Sequence, residues 1–135
     1  MTSLTVAHLC VLVASLLPIL CAGIAKWGTF GRSRRDGGYD NDNPRSWLAA
    51  QTAWRARANA AQANSFEALP LFIGAVLIAH QVGVSQATLD GLAVVFVLLR
   101  LAYIACYVGG WSTLRSLVWV AGLGVCIAIL LSGWR

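Results

Sequence analysis

The chain has 135 residues, 59% of them apolar and 11% charged, with ten basic and five acidic side chains and a formal net charge of +5. Globular domains average roughly 45–50% apolar and about 25% charged, and the mean hydropathy of +0.71 lies to the same side. Such a composition excludes a water-soluble globule, a disordered chain and a disulfide scaffold. It leaves a single integral membrane domain of a few helices over residues 1–135.

A spanning helix needs about 20 mostly apolar residues. The first predicted span covers residues 4–27 around the uncharged run Leu4–Ala25. It reads as a retained span rather than a cleaved signal, because no Lys or Arg precedes it and no small-x-small site follows cleanly. A basic loop follows at 28–53. Further spans are predicted at 54–82, 86–108 and 113–134, divided by Gly83-Val84-Ser85 and Gly109-Gly110. The ten-residue alternation of a membrane β-barrel is missing. The fold class is therefore all-α: a bundle of four transmembrane helices.

Most of the charge sits in one place. Between Lys26 and Arg57 lie seven basic residues (Lys26, Arg32, Arg34, Arg35, Arg45, Arg55, Arg57) and three acidic ones (Asp36, Asp40, Asp42); outside that window remain Glu67, Asp90, Arg100, Arg115 and Arg135. Positive charge beside spans stays cytoplasmic and meets anionic headgroups. Loops one and three are thus expected in the cytoplasm and both termini outside, in a bacterial inner membrane; a eukaryotic endomembrane keeps the same rule. The implied partner is membrane lipid, not nucleic acid. The six tryptophans fall mostly near span ends, as interfacial anchors do. Cys10, Cys21, Cys106 and Cys126 lie within spans without a CxxC pattern and read as buried free thiols. His80, near the outer end of span two, reads as interfacial, and no metal site is expected.

Glu67 and Arg100 lie inside otherwise apolar runs, where a charge costs about 2.5–3.5 kcal/mol and needs a partner or a wet cavity. A hairpin centred on Gly83-Val84 sets Glu67 level with Arg100, Asn64 with Tyr103 and Ala60 with Tyr107. Arg57, Asn64 and Glu67 form one polar stripe on span two, and Arg100, Tyr103 and Tyr107 a matching stripe on span three. Arg115 and Ser116 open span four. An Arg/Asn/Glu/Tyr pocket of this kind suits a zwitterionic or multiply anionic ligand, with an apolar co-substrate arriving from the lipid. The same residues also fit plainer roles: a Glu67–Arg100 ion pair that fixes helix register, tyrosines that pack at the interface, and Arg115 as a topology signal.

The run RANAAQANSFEALPLFIGAVLIA, Arg57 to Ala79, resembles the signature helix of the MAPEG superfamily (membrane-associated proteins in eicosanoid and glutathione metabolism), through Arg57-Ala58, Asn64, Glu67, Pro70 and Phe72. YDNDNPR, Tyr39 to Arg45, resembles the loop before that helix in bacterial members, and Arg100, Tyr103, Tyr107 and Arg115-Ser116 match further on. The resemblance covers essentially the whole chain.

The resemblance implies a left-handed four-helix protomer in a homotrimer, with glutathione held between protomers near the cytoplasmic side. Members include microsomal glutathione transferases, leukotriene-C synthase, prostaglandin-E synthase and a non-catalytic arachidonate-binding protein. By that likeness Asn64 and Glu67 would hold the peptide's polar ends, Arg100 would support Glu67, Tyr107 would hydrogen-bond the ligand, and Arg115 would face the sulfur with Ser116 beside it. Arg57 and Tyr103 complete the binding set. The implied function is a transferase or peroxidase that uses glutathione, or another thiol, on hydrophobic electrophiles. The alternative is a non-catalytic lipid-binding or accessory subunit of a larger membrane complex. Ala60 and Ala63 stand where several catalytic members carry arginine, and Trp119 where tyrosine is common. A small multidrug transporter would need a carboxylate in span one, and Leu4–Ala25 has none.

Overall fold

The computed structural model describes residues 3–134; Met1, Thr2 and Arg135 lie outside the described residues. Four helices are long and apolar enough to cross a membrane: α1 (Val6–Lys26), α3 (Ala53–Gln81), α4 (Gln86–Gly109) and α5 (Ser112–Leu131). The basic segment between α1 and α3 holds a single 3-10 turn at Arg34–Asp36 and the short helix α2 (Pro44–Ala49). No strand occurs among the described residues. The protein is an all-helical integral membrane bundle.

Small residues set the packing. Along α1 the buried face runs through Ala7, Cys10, Ala14, Cys21 and Ala25, and on α3 through Ala58, Ala61, Ser65, Ala75 and Ala79. With lipid as apolar as the side chains, helices associate through close backbone approach, which such residues permit. These two helices accordingly share the largest interhelical contact. Larger groups fill the middle, where Phe72 of α3 stacks on Phe96 of α4 with ring centroids 4.0 Å apart. All four cysteines are buried and free.

One end of the bundle gathers the start of α1, the α3–α4 turn and the end of α5. Thr5 caps α1: its hydroxyl accepts from the His8 amide, and His8 Nδ1 accepts from the Thr5 amide at 3.1 Å. The His8 ring packs edge-on against His80 of α3 at 4.9 Å, so His80 has a cross-helix partner that its isolation in sequence did not suggest. A further first-turn amide, that of Ala7, donates to Asp90 of α4 at 2.8 Å. The Asp90→Ala substitution leaves that donor unmet and is expected to cost about 1–3 kcal/mol. Thermal unfolding in detergent reads this out, with Asp90→Asn, which keeps an acceptor oxygen, retaining most of the wild-type stability; an unchanged midpoint for Asp90→Ala would contradict it.

At the opposite end, arginines satisfy carbonyls that helix termini leave open. Arg55 Nη1 donates to the Ala25 and Trp27 carbonyls, both at 2.8 Å, and Arg57 Nε to that of Val108 at 3.0 Å. The α4 helix closes through Gly110 at φ 79°, with Trp111 N–H donating to Cys106 O at 2.9 Å. A β-carbon at Gly110 would meet this left-handed backbone and stand 3.7 Å from the Arg57 guanidinium carbon. Gly110→Ala is therefore expected to destabilise by about 1–2 kcal/mol, measured as a lower melting temperature.

In the loop, Arg34 bridges Asp40 at 3.2 Å and Asp42 more closely. The Asn43 amide donates to Asp40 and holds its carboxyl below the usual range. Asp36 accepts from the Ser33 hydroxyl at 2.6 Å. The loop's three carboxylates are thus all engaged locally, and among the described residues only Arg34 of its cations is salt-bridged.

Candidate functional site

Two adjoining cavities lie where α3, α4 and α5 meet. The deeper, about 140 Å³, is lined by Asn64, Glu67, Phe96, Arg100, Trp119 and Cys126 among others. The second, about 290 Å³, lies toward the basic loop and is lined by Asn64, Tyr103, Tyr107, Arg115, Ser116 and Trp119. Asn64 and Trp119 border both, so the pair forms a continuous depression from mid-span toward the helix ends. Of the eight residues singled out in the sequence, seven line one cavity or the other. Arg57 lines neither: it lies two helical turns nearer the α3 N-terminus than Asn64, and its guanidinium serves the end of α4.

Across the site runs a stack of alternating cations and rings. Arg100 lies with its guanidinium carbon 4.3 Å from the Tyr103 ring, Tyr103 meets Tyr107 edge-on at 5.7 Å, and Arg115 sits 4.4 Å over Tyr107. Spacing on α4 makes this possible, because residues three and four apart share a face. Cation–π contact of this kind is worth roughly 0.5–2 kcal/mol per pair, and it fixes both arginines without neutralising them. Ser116 donates its hydroxyl to Ser112 O at 3.1 Å, which leaves its oxygen only the role of acceptor.

The sequence pairing of Glu67 with Arg100 requires correction. They share a cavity, but among the described residues the only ion pairs join Arg34 to Asp40 and Asp42. Arg100, 5% exposed, instead donates from Nη2 to Ser65 Oγ at 3.3 Å. Glu67 accepts from Asn64 Nδ2 at 3.2 Å on the exposed side of α3. The reason is rotational: Ser65 and Glu67 are two residues apart, which turns them about 200° around the helix axis. Depth counting sets a residue's level but not the direction it faces.

Ser65 was not singled out in the sequence reading, although a signal was available. It is the polar member of the buried stripe Ala58, Ala61, Ser65, Phe72 on α3, and a polar residue there implies a buried partner. Its Oγ also lies 3.9 Å from Cys21 Sγ of α1, so it links three helices. Ser65→Ala is expected to loosen Arg100 without removing it. The expected result is a weaker ligand response together with a lower melting temperature, because a buried cation loses its one hydrogen bond, and a ligand response equal to wild type would contradict it.

Among the described residues, one buried side-chain polar atom has no partner. Asn64 Oδ1 is buried and accepts no hydrogen bond, an arrangement that costs about 1–3 kcal/mol unless a ligand or water supplies a donor. Beside it stand a carboxylate at Glu67 and, across the depression, the cations Arg100 and Arg115. A zwitterion with an ammonium group near Asn64–Glu67 and anionic groups toward the arginines matches this distribution. No cluster of three or more His, Cys, Asp or Glu side chains suited to a metal occurs among the described residues.

Comparison with known proteins yields one match. The profile of the MAPEG family aligns with residues 6–133, nearly the whole chain. No curated protein and no solved structure matches.

Proposed function

Because the chain belongs to the MAPEG family, whose members act in glutathione and eicosanoid metabolism at membranes, we propose that it is a thiol-dependent transferase or peroxidase for hydrophobic electrophiles. Glutathione, or another cellular thiol, is the co-substrate. The observation that carries this reading is the unpartnered Asn64 Oδ1 beside Glu67, which a ligand ammonium would satisfy. In this reading Arg100, Tyr103 and Tyr107 position the rest of the molecule, and Arg115 faces the sulfur with Ser116 next to it.

The chemistry follows from charge. A free thiol has a pKa of about 8.5, and an adjacent guanidinium favours the thiolate. The thiol proton passes to water, and the thiolate attacks the electrophilic carbon of a lipid-soluble halide. An S–C bond forms, the C–halogen bond breaks, and halide departs with the electron pair. The protein contributes by holding sulfur and electrophile together and by stabilising negative charge at Arg115.

The homotrimer belongs to this proposal, as does placement in a bacterial inner membrane with loops one and three cytoplasmic. Glu67 is exposed on the surface of α3 within an apolar span, where a carboxylate facing lipid is costly. A neighbouring protomer would cover it and complete the site. Purified protein in detergent, given reduced glutathione and chlorodinitrobenzene, is expected to release chloride and form the conjugate. No conjugation with any common cellular thiol would remove the reading.

Ala60 and Ala63 favour a second reading, a non-catalytic lipid-binding or accessory subunit, because they offer no further cations to grip a peptide. Co-purification of a fixed partner together with no thiol binding by calorimetry would select it.

A further inference from the structure

Away from both cavities, the basic-loop end of α1 carries an apolar groove of about 910 Å³, bounded by Leu20, Ile24, Trp27, Phe30, Trp54 and Val108. None of these residues lines either cavity of the candidate site. Trp27 and Phe30 are 76% and 67% exposed, so the groove opens outward where the span ends. Arg55 is fixed at its rim. Its guanidinium lies 4.3 Å over Trp54, and Nη1 donates to the carbonyls of Ala25 and Trp27. The remaining N–H groups of Arg55 make no hydrogen bond among the described residues. Arg32 and Arg35 follow Phe30 in the loop, are exposed and form no salt bridge among those residues.

We infer that this groove and its cationic rim bind an anionic phospholipid, with an acyl chain along the apolar walls and the phosphate at Arg55, Arg32 and Arg35. Charge complementarity decides the occupant. The walls accept any acyl chain, but Arg55 stands over Trp54 of the wall, Arg32 and Arg35 follow Phe30 in the chain, and the loop's carboxylates are already engaged, with Arg34 taking Asp40 and Asp42 and Ser33 serving Asp36. A second copy of this chain carries a net charge of +5 and offers these cations few counter-charges. A soluble anion without a chain would leave the walls uncovered.

The test uses the whole protein in neutral detergent doped with equal amounts of phosphatidylglycerol and phosphatidylcholine, with retained lipid read by native mass spectrometry. Phosphatidylglycerol is expected to be retained preferentially, and glycerol phosphate should not displace it. Removing both charges in the double variant Arg32→Gln, Arg35→Gln should lower that preference by about fivefold per charge. Gly23, which also borders the groove, has no heavy atom within 4 Å of where a β-carbon would stand. Gly23→Leu therefore seats its β-carbon without a clash, puts a branched side chain into the groove, and should lower retention of both lipids at wild-type melting temperature and oligomeric mass. Equal retention of the two lipids by the wild type would overturn the proposal. So would displacement by glycerol phosphate, full retention by Gly23→Leu, or a Gly23→Leu effect confined to oligomeric mass, which would identify the groove as a contact between copies.

Discussion

Arg115→Ala is expected to lower the rate of thiol conjugation by at least about a hundredfold, the usual effect of losing one positioned group that stabilises developing negative charge. Arg115 sits 4.4 Å over the Tyr107 ring and lines the outer cavity, so its cation is held in place but left without a counter-ion. A bound thiol beside it should ionise below the free value of about 8.5. The wild-type pH–rate profile should therefore rise and level off at lower pH than that of Arg115→Ala, and Arg115→Lys should keep part of the shift. Melting temperature should change little, because Arg115 makes no salt bridge among the described residues. Equal rates and superimposable pH profiles for wild type and Arg115→Ala would exclude Arg115 from the chemistry.

The second large effect separates stability from function. Arg100 is a charge buried to 5% exposure with one hydrogen bond, to Ser65, and one ring contact, to Tyr103. Holding such a group at mid-span costs about 2.5–3.5 kcal/mol, and an apolar residue of similar length removes that cost while orphaning only a hydroxyl. Arg100→Met is therefore expected to melt at or above the wild-type temperature. Conjugation should nonetheless fall by at least about tenfold, since the deep cavity loses its cation and the stack over Tyr103 loses its end. Paired melting and activity measurements check this. A strong loss of stability at intact activity would mark Arg100 as a structural charge and nothing more.

Much of the fold was legible because lipid imposes a simple rule: long uncharged runs must become helices that close their own backbone bonds. Gly83 and Gly110 marked turns that the backbone then makes with positive φ. That Glu67 and Arg100 meet at one cavity was legible too. Their relative orientation was not, because residue counting carries no information about rotation across a helix pair. Arg57 shows a different limit. Its spacing placed it on the stripe with Asn64, but an unmet carbonyl at Val108, close only in space, claims its guanidinium. Arg55 is similar: within the sequence it was one more positive charge at the start of span two, whereas in the fold it closes the end of α1. Asn64 Oδ1 was legible as a polar residue in a span, but its lack of a partner is visible only once the surrounding side chains are placed.

The most direct measurement is a thermal-shift titration of the wild-type protein and Glu67→Gln with reduced glutathione. A ligand that binds only the folded state raises the melting temperature in proportion to the logarithm of its concentration, about 2.7 kcal/mol at a hundredfold excess over Kd. A rise for wild type that keeps growing with the logarithm of glutathione concentration, reduced or absent for Glu67→Gln, is the expected result. Curves that stay flat in both proteins with glutathione and with other cellular thiols, or that rise equally in both, would contradict a thiol site at Asn64 and Glu67.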